Sequence, residues 1–207
     1  MKQAMVEFAL VAGAMTLVPG LDFTFVLRAA LTQSRRGAFA AGLGIATGLL
    51  LWAIAASLGL SAILAASPVA FSVLQTAGAG YLIYLGISYW RSSRATINFT
   101  ADNESIESPT RLYRRGLMTN ALNPKICIFY LAVLPPFIPS DVQPVLAAVA
   151  LASVHVVECL LYFTLTIAAA QTFKRRLSSA VWRERINRIS GALIVGFGIR
   201  LLSEAAR

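Results

Sequence analysis

The sequence has little charge for its length. Charged residues make up 13% of the 207 residues, about half of the roughly 25% that soluble globular domains carry. A soluble protein with a fully hydrated surface is therefore excluded. The basic residues outnumber the acidic ones, for a net charge of +9, but they lie between apolar stretches and form no basic face with interleaved aromatic residues. We therefore expect no nucleic-acid partner.

Cysteine, histidine and catalytic motifs are also scarce. The two cysteines, Cys127 and Cys159, lie inside apolar stretches, and the single histidine is His155. Such a set provides neither a disulfide framework nor the ligand spacing of a metal site. No nucleophile elbow, phosphate-binding loop or kinase motif occurs. We expect a protein that is not an enzyme and that needs no cofactor or metal.

Long apolar stretches are what the sequence has instead. Apolar residues make up 57% of the chain and gather in blocks of about 20 residues, the length that crosses a bilayer. Spanning segments are helices or closed barrels, and these blocks lack the alternation of barrel strands. The sequence predicts an all-α integral membrane protein with about six transmembrane helices. The blocks are 4–27, 41–65, 69–90, 117–138, 143–170 and 187–204.

Two of these blocks leave alternatives. The first resembles a signal peptide, but it continues past its small residues at 12–14 and beyond Pro19, so we expect an uncleaved span. The last block is near the lower length limit for a span and contains Arg188 and Arg200. A chain with five spans is therefore the alternative.

The distribution of basic residues predicts the orientation. Three connections, 28–36, 91–115 and 174–188, contain arginine or lysine, whereas those around Ser67 and Ser140 contain none. By the positive-inside rule the basic connections face the cytoplasm and both termini lie outside. Segment 92–115 is polar and predicts a cytoplasmic loop. Basic residues alternate with apolar ones at helical spacing over about 171–186, which indicates an interfacial helix or a solvated helix end.

Proline interrupts two spans at comparable places. Pro19, followed by Gly20, breaks the first span, and Pro124 breaks the fourth. Proline lacks an N–H group and clashes with the carbonyl four residues earlier. Pro19 therefore frees the carbonyl of Met15, and Pro124 frees that of Asn120.

These interruptions suggest an internal repeat. Each break lies in the first span of a three-span half, 1–91 and 116–207, and an odd number of spans inverts the second half relative to the first. Inverted repeats with paired broken helices place substrate sites near the bilayer midplane. The alternative is that each proline only kinks a tightly packed helix.

Four ionisable residues lie well inside the predicted spans: Asp22, Lys125, His155 and Glu158. A central charge costs about 2.5–3.5 kcal/mol on insertion scales, so these groups should face each other, a cavity or a ligand. Asp22 and Lys125 follow the two prolines closely and could neutralise each other. The alternative is a structural ion pair that locks two helices.

A small zwitterion fits this set of residues chemically. Its carboxylate would bind Lys125 or a helix N-terminus, and its ammonium would bind Asp22 and the freed carbonyls. Asn120 and Asn123 provide hydrogen bonds at the same level. Candidates for proton coupling are Asp22, Glu158 and His155, the last two on one face of the fifth helix; His155 could instead be a packing residue.

Two motifs, Pro19-Gly20-Leu21-Asp22 and Asn123-Pro124-Lys125, resemble the lysine-exporter (LysE/RhtB) family of amino-acid exporters. The resemblance extends through three longer stretches, 36–44, 79–86 and 123–138. It implies export of amino acids or small derivatives across the bacterial inner membrane in exchange for protons, with the signature positions at the two motifs. The chain departs from the family pattern at Leu21, usually proline, and at Pro136, usually glutamine.

Other function classes remain as alternatives. A membrane thiol-disulfide carrier would need a second cysteine opposite Cys127, but Asp22 stands at the matching place after Pro19. A metal or inorganic-ion permease would have Asp22, Glu158 and His155 as candidate ligands. A structural or sensory bundle is the fourth class. The sequence leaves open which substrate is moved and whether the chain forms a homo-oligomer.

Overall fold

The computed structural model describes residues 1–91, 105–139, 141–170 and 180–205. These ranges contain helices and no strand, so the prediction of an all-α fold is confirmed. A short 3-10 turn covers Pro135–Phe137. The α-helices are α1 (Lys2–Leu17), α2 (Leu21–Thr32), α3 (Arg35–Ala66), α4 (Pro68–Arg91), α5 (Pro109–Ala121), α6 (Pro124–Ala132), α7 (Pro144–Ala169) and α8 (Ala180–Ala205).

Two helical segments are long and apolar enough to cross a bilayer alone: Arg35–Gly59 of α3 and Pro144–Ala169 of α7. A third span results if α1 and α2, which meet at an angle of 56°, are taken together. α4 and α8 contain shorter apolar segments, Ala79–Ser88 and Gly191–Arg200. The structure thus supports two or three spans within the described residues, and the number six stays a prediction.

The chain is extended between α1 and α2. Val18 has φ −68° and ψ 116°, and Gly20 has φ −141° and ψ −162°. Pro19, between them, cannot donate a backbone hydrogen bond to a preceding helical turn. α2 therefore starts anew at Leu21, in a different direction from α1.

The gap between α5 and α6 is shorter and is capped. Leu122 and Asn123 lie between the two helices, and the Asn123 side chain accepts a hydrogen bond from the Lys125 N–H, 3.1 Å away. Pro124 occupies the first helical position, where its missing N–H has no cost. Asn123 and Pro124 together explain why α6 begins there.

The loop predicted over 92–115 needs a correction at its C-terminal end. α5 begins at Pro109, and the Ser108 side chain caps it by accepting a hydrogen bond from the Arg111 N–H at 3.3 Å. The low apolar content suggested a loop, but this helix needs only a narrow buried stripe, formed by Leu112, Gly116 and Asn120. Residues 92–104 lie outside the described residues, as do 171–179 of the predicted interfacial helix; α8 begins at Ala180.

Glycines allow α3 and α5 to pack backbone to backbone. A Cβ atom at Gly44 would lie 2.0 Å from the Tyr113 carbonyl oxygen, and one at Gly116 would lie 2.2 Å from that of Ala41. Small residues at helix crossings permit such approach in membrane bundles. α3 also packs on α7, and α4 packs mainly on α8. The close α3–α5 contact brings the end of α5 beside the α1–α2 break.

Candidate functional site

A small cavity of about 20 Å³ lies where the α1–α2 break, α3, α6 and α7 meet. Its polar lining includes Thr16, Asp22, Lys125 and His155, and its apolar lining includes Leu49. A volume of this size has room for about one water molecule. The structure thus brings together three of the ionisable residues that the sequence predicts, from three different helices.

Lys125 extends across the cavity to the end of α1. Its Nζ donates to the carbonyl oxygens of Met15 and Val18, at 3.1 and 3.2 Å. The Met15 carbonyl is the one that Pro19 frees, and a helix C-terminus favours a cation. A Cβ atom at Gly20 would lie 3.3 Å from this Nζ, so glycine leaves room for the ammonium group.

Asp22 has a different partner. Its Oδ2 accepts a hydrogen bond from the Asn120 side-chain amide at 2.8 Å. It lies in the first turn of α2, where the helix dipole favours an acidic side chain. Asp22 and Lys125 therefore line one cavity, but within the described part of the chain each is held by its own partners rather than by a direct ion pair.

The two asparagines lie behind the cavity rather than in its lining. Asn120 is fully buried, holds Asp22 and accepts a hydrogen bond on its backbone oxygen from the Trp52 indole N–H, 3.4 Å away. Pro124 leaves this oxygen without a donor four residues on, and the Asn123 N–H also donates to it, at 3.0 Å. Asn123 is also buried, and it caps α6 just before Lys125. Both asparagines thus position the charged residues.

Several buried polar atoms of this region have no hydrogen-bond partner among the described residues. Thr16 Oγ1 and Asp22 Oδ1 belong to residues that line the cavity, and Asn120 Oδ1 and Asn123 Nδ2 lie behind it. Native proteins satisfy the large majority of buried polar groups. Oxygen atoms without a hydrogen-bond donor on a cavity lining are expected where a ligand with its own donor groups binds.

His155 is packed in an aromatic cluster. Its Nδ1 lies 3.1 Å from the Tyr130 hydroxyl, and the two rings stack at 5.9 Å with 16° between their planes. Phe129 and Phe8 approach the imidazole edge-on, with centroids at 5.5 and 6.5 Å. These contacts are those of a packing residue, and its role in proton coupling stays a prediction.

Glu158 lies away from the cavity lining. A Cβ atom at Gly13 would lie 3.5 Å from its Oε1, so the carboxylate faces α1, one turn before Thr16. Its buried Oε2 has no partner among the described residues. Sequence spacing places Glu158 and His155 on one face of α7, but only His155 contributes to the cavity.

Three residues of the site were not predicted from the sequence. Thr16 could have been found as the one hydroxyl just before the first break. Trp52 and Tyr130 carry no local signal, because their roles arise from contacts with distant helices. The two cysteines are free thiols, and the described residues contain no group of three His, Cys, Asp or Glu side chains that could hold a metal.

Comparisons with known proteins find relatives that match nearly the whole chain. The chain is 30% identical over 200 residues to an uncharacterized membrane protein, YrhP, of Bacillus subtilis, covering 92% of this chain and 94% of the relative. It is 30% identical over 186 residues to the threonine efflux protein of Escherichia coli K12, covering 89% and 90%. A homoserine/homoserine lactone efflux protein of Salmonella typhi is 30% identical over 197 residues, covering 95% and 94%. No solved structure matches.

A family model also matches nearly the whole chain. The model, described as LysE type translocator, covers residues 13–205. This range contains both proline motifs and every residue of the cavity named above, and it confirms the resemblance seen in the sequence. The chain belongs to the LysE type translocator family.

Proposed function

We propose that the protein exports amino acids or small amino-acid derivatives from the cytoplasm as a secondary transporter. The observation that carries the proposal is the cavity that Asp22 and Lys125 line together, each held by other partners. An anionic and a cationic group on one small cavity match the two charges of a zwitterion. The names of two relatives, which describe efflux of threonine and of homoserine or its lactone, agree with this class of substrate.

Each charge of the substrate has a defined partner. The ammonium group binds Asp22 Oδ1, which no described residue satisfies, and the carboxylate binds Lys125. The α2 N-terminus helps, because its N-cap residue Gly20 has no side chain to satisfy the first N–H groups. Those N–H groups and the helix dipole favour a carboxylate.

Binding requires the helices to move apart. A cavity of about 20 Å³ has room for about one water molecule, and any amino acid is several times larger. We propose that the segments 1–91 and 116–207 form inverted repeats that rock around the two breaks, which exposes the cavity to each side in turn. The 56° angle between α1 and α2 supports the first break as one place where this motion occurs.

Proton exchange follows from competition for one carboxylate. Asp22 is the acidic residue that lines the cavity, so a proton and a substrate ammonium group compete for it, and each displaces the other. Glu158, beside α1, is the second candidate, and His155 is the third. This arrangement gives antiport of protons against amino acids.

Two contacts support the proposed orientation in the bacterial inner membrane. Arg200 of α8 pairs with Glu7 of α1 at 3.1 Å, so the start of α1 lies near the last turns of α8, as the proposed orientation requires. The Glu107 N–H donates to the Gln33 side chain at 2.8 Å, which brings the first and third connections to the opposite side. The basic residues of those connections assign that side to the cytoplasm.

Efflux from preloaded cells tests the proposal. Cells loaded with a mixture of amino acids are compared with and without the protein, and the medium is analysed by mass spectrometry for all of them. Asp22→Asn is expected to abolish export, whereas Glu7→Gln, which removes a carboxylate outside the cavity, is expected to retain it. Export that Asp22→Asn leaves intact, or release of an inorganic ion with no amino acid, would overturn the proposal.

A further inference from the structure

A second, larger groove lies between α2 and α5. It has a volume of about 530 Å³ and shares no lining residue with the cavity between the breaks. Three arginines line it, Arg111, Arg114 and Arg115, together with apolar side chains from both helices. Nothing in the proposed transport step uses this groove.

The groove is basic at one end and apolar at the other. α2 runs away from the first break and α5 runs toward the second, so their residues near the breaks lie together: Leu21, Met118 and Leu122. All three of these side chains are more than half exposed, and Leu122 is 78% exposed. The arginines lie one to three turns earlier in α5, toward the basic connection.

Two of the three arginines at the basic end pair with an acidic residue. Arg111 pairs with Glu107 at 2.9 Å, and Arg115 pairs with the same carboxylate while its guanidinium lies 5.4 Å from the Phe25 ring centroid. Arg114 has no such partner within the described part of the chain. Two guanidinium groups therefore share one carboxylate while the third has no acidic partner among the described residues, and the groove keeps a net positive charge.

We propose that this groove binds an anionic phospholipid. Its phosphodiester lies at Arg111, Arg114 and Arg115, and an acyl chain follows Leu21, Met118 and Leu122. Guanidinium groups bind phosphate oxygens in pairs, and basic pockets between helices on the cytoplasmic side suit anionic headgroups. A free anion would leave the apolar end unexplained, and a zwitterion carries no net charge to match the arginines.

The groove adjoins the substrate site through two neighbouring residues. Leu21 precedes Asp22, and Thr119, which also lines the groove, precedes Asn120. The Asn120–Asp22 hydrogen bond connects these same two helices. A lipid that contacts α2 and α5 together would stabilise this bond, so transport should depend on anionic lipid. The binding itself is independent of which substrate is moved.

Native mass spectrometry of the full-length protein in detergent tests the proposal. The protein is titrated with equal amounts of phosphatidylglycerol and phosphatidylcholine, and bound lipids are counted. We expect phosphatidylglycerol to be preferred, and Arg114→Gln to weaken its binding about fivefold. Arg114 is exposed, so its loss should leave the fold intact. Arg36→Gln, an exposed arginine of the first connection that does not line the groove, is the matched control and should bind normally.

A second variant tests the apolar end. Leu122→Ser should weaken the binding of phosphatidylglycerol. Any binding of glycerophosphate, which has no acyl chain, should stay unchanged. Equal binding of both lipids, or equal loss in Arg114→Gln and Arg36→Gln, would overturn the proposal. Displacement of the lipid by glycerophosphate at similar concentration, or by the exported amino acid, would overturn it as well, because the groove would then bind a soluble ligand.

Discussion

The two interruptions between helices differ in the source of the hydrogen bonds that satisfy their backbones. At the α5–α6 gap, the backbone groups find partners in the gap and on α3. Asn123 caps α6, and Trp52 of α3 donates to the Asn120 carbonyl. The α1–α2 gap has no side-chain cap, and its carbonyls at Met15 and Val18 are held by Lys125 from the other half of the chain. The first gap therefore depends on a side chain from a distant helix, the same side chain that we propose binds the substrate carboxylate.

This difference assigns separate roles to the two gaps. The second gap positions Lys125, because the Asn123 cap sets where α6 begins. In the proposed mechanism the first gap responds to the substrate, because its carbonyls lose their donor if Lys125 turns toward the substrate carboxylate. A substrate that binds Lys125 would loosen the α1–α2 break and leave the α5–α6 break intact. Four substitutions test this comparison, from the largest expected effect to the smallest.

Replacement of Lys125 should have the largest effect. Lys125→Met leaves the Met15 and Val18 carbonyls without a donor and removes the partner of the substrate carboxylate. Hydrogen bonds to charged groups contribute about 1.5–3 kcal/mol each, so substrate affinity should fall by about 100-fold. Export by cells measures this effect, with the amount of protein in the membrane determined in parallel. Lys2→Met, an exposed lysine at the start of α1, should export normally. Export by Lys125→Met at the native rate would contradict the account.

A methyl group at Gly48 should displace Asn120. The added Cβ would lie 2.5 Å from Asn120 Oδ1 and 2.9 Å from its Cβ, and overpacking of this kind costs about 1–3 kcal/mol. Asn120 would then hold Asp22 less well, so export should fall together with the thermal stability of the purified protein. Gly59→Ala is the control, because it is in the same helix and no atom of the described residues lies within 4 Å of the added carbon. Similar behaviour of the two variants would argue against tight α3–α5 packing.

Loss of the α6 cap should have a moderate effect. Asn123→Ala removes the acceptor for the Lys125 N–H, at a cost of about 1 kcal/mol. Ser108→Ala removes the corresponding cap of α5 and should lower the free energy of unfolding by a similar amount. Only Asn123→Ala should reduce export, because only that cap positions Lys125. If both variants export alike at equal stability, the second gap has no positioning role.

The smallest effect is expected at Trp52. Trp52→Phe removes one hydrogen bond to the Asn120 carbonyl, worth about 0.5–1.5 kcal/mol. Tyr113→Phe removes one hydrogen bond from the same α3–α5 contact, the bond of its hydroxyl to Thr47 at 3.0 Å. Both variants should unfold at slightly lower temperature, and Trp52→Phe alone should slow export. A larger loss of export in Tyr113→Phe than in Trp52→Phe would show that export depends more on the α3–α5 contact than on the hydrogen bond to the Asn120 carbonyl.

Local chemistry predicted part of this arrangement, and long-range packing decided the rest. The apolar blocks predicted an all-α membrane protein, and the geometry of proline was enough to single out the Met15 and Asn120 carbonyls. The Asn120 carbonyl also accepts from the nearby Asn123 N–H. The side-chain donors that reach the two carbonyls, Lys125 and Trp52, come from distant segments, and sequence spacing does not encode such contacts. Sequence spacing likewise does not show that His155 reaches the cavity while Glu158, on the same face of α7, lies beside Gly13 of α1.

The polar helix α5 shows a different limit. Its buried stripe contains one leucine, one glycine and one asparagine, so apolar periodicity is weak and its first residues looked like a loop. The cap at Ser108 and the proline after it were the local signal of a helix start. The glycine at 116 is explained only by the backbone of α3 opposite it.

The central claim is that Asp22 and Lys125 bind opposite ends of one zwitterion. The most direct measurement is the affinity of purified protein in lipid nanodiscs for three ligands: the amino acid found in the efflux assay, the amine without its carboxylate, and the acid without its amino group. We predict that Asp22→Asn lowers the affinity for the amino acid and for the amine but not for the acid. Lys125→Met should lower the affinity for the amino acid and for the acid but not for the amine. Equal losses for all three ligands in both variants, or no loss in either, would contradict the account.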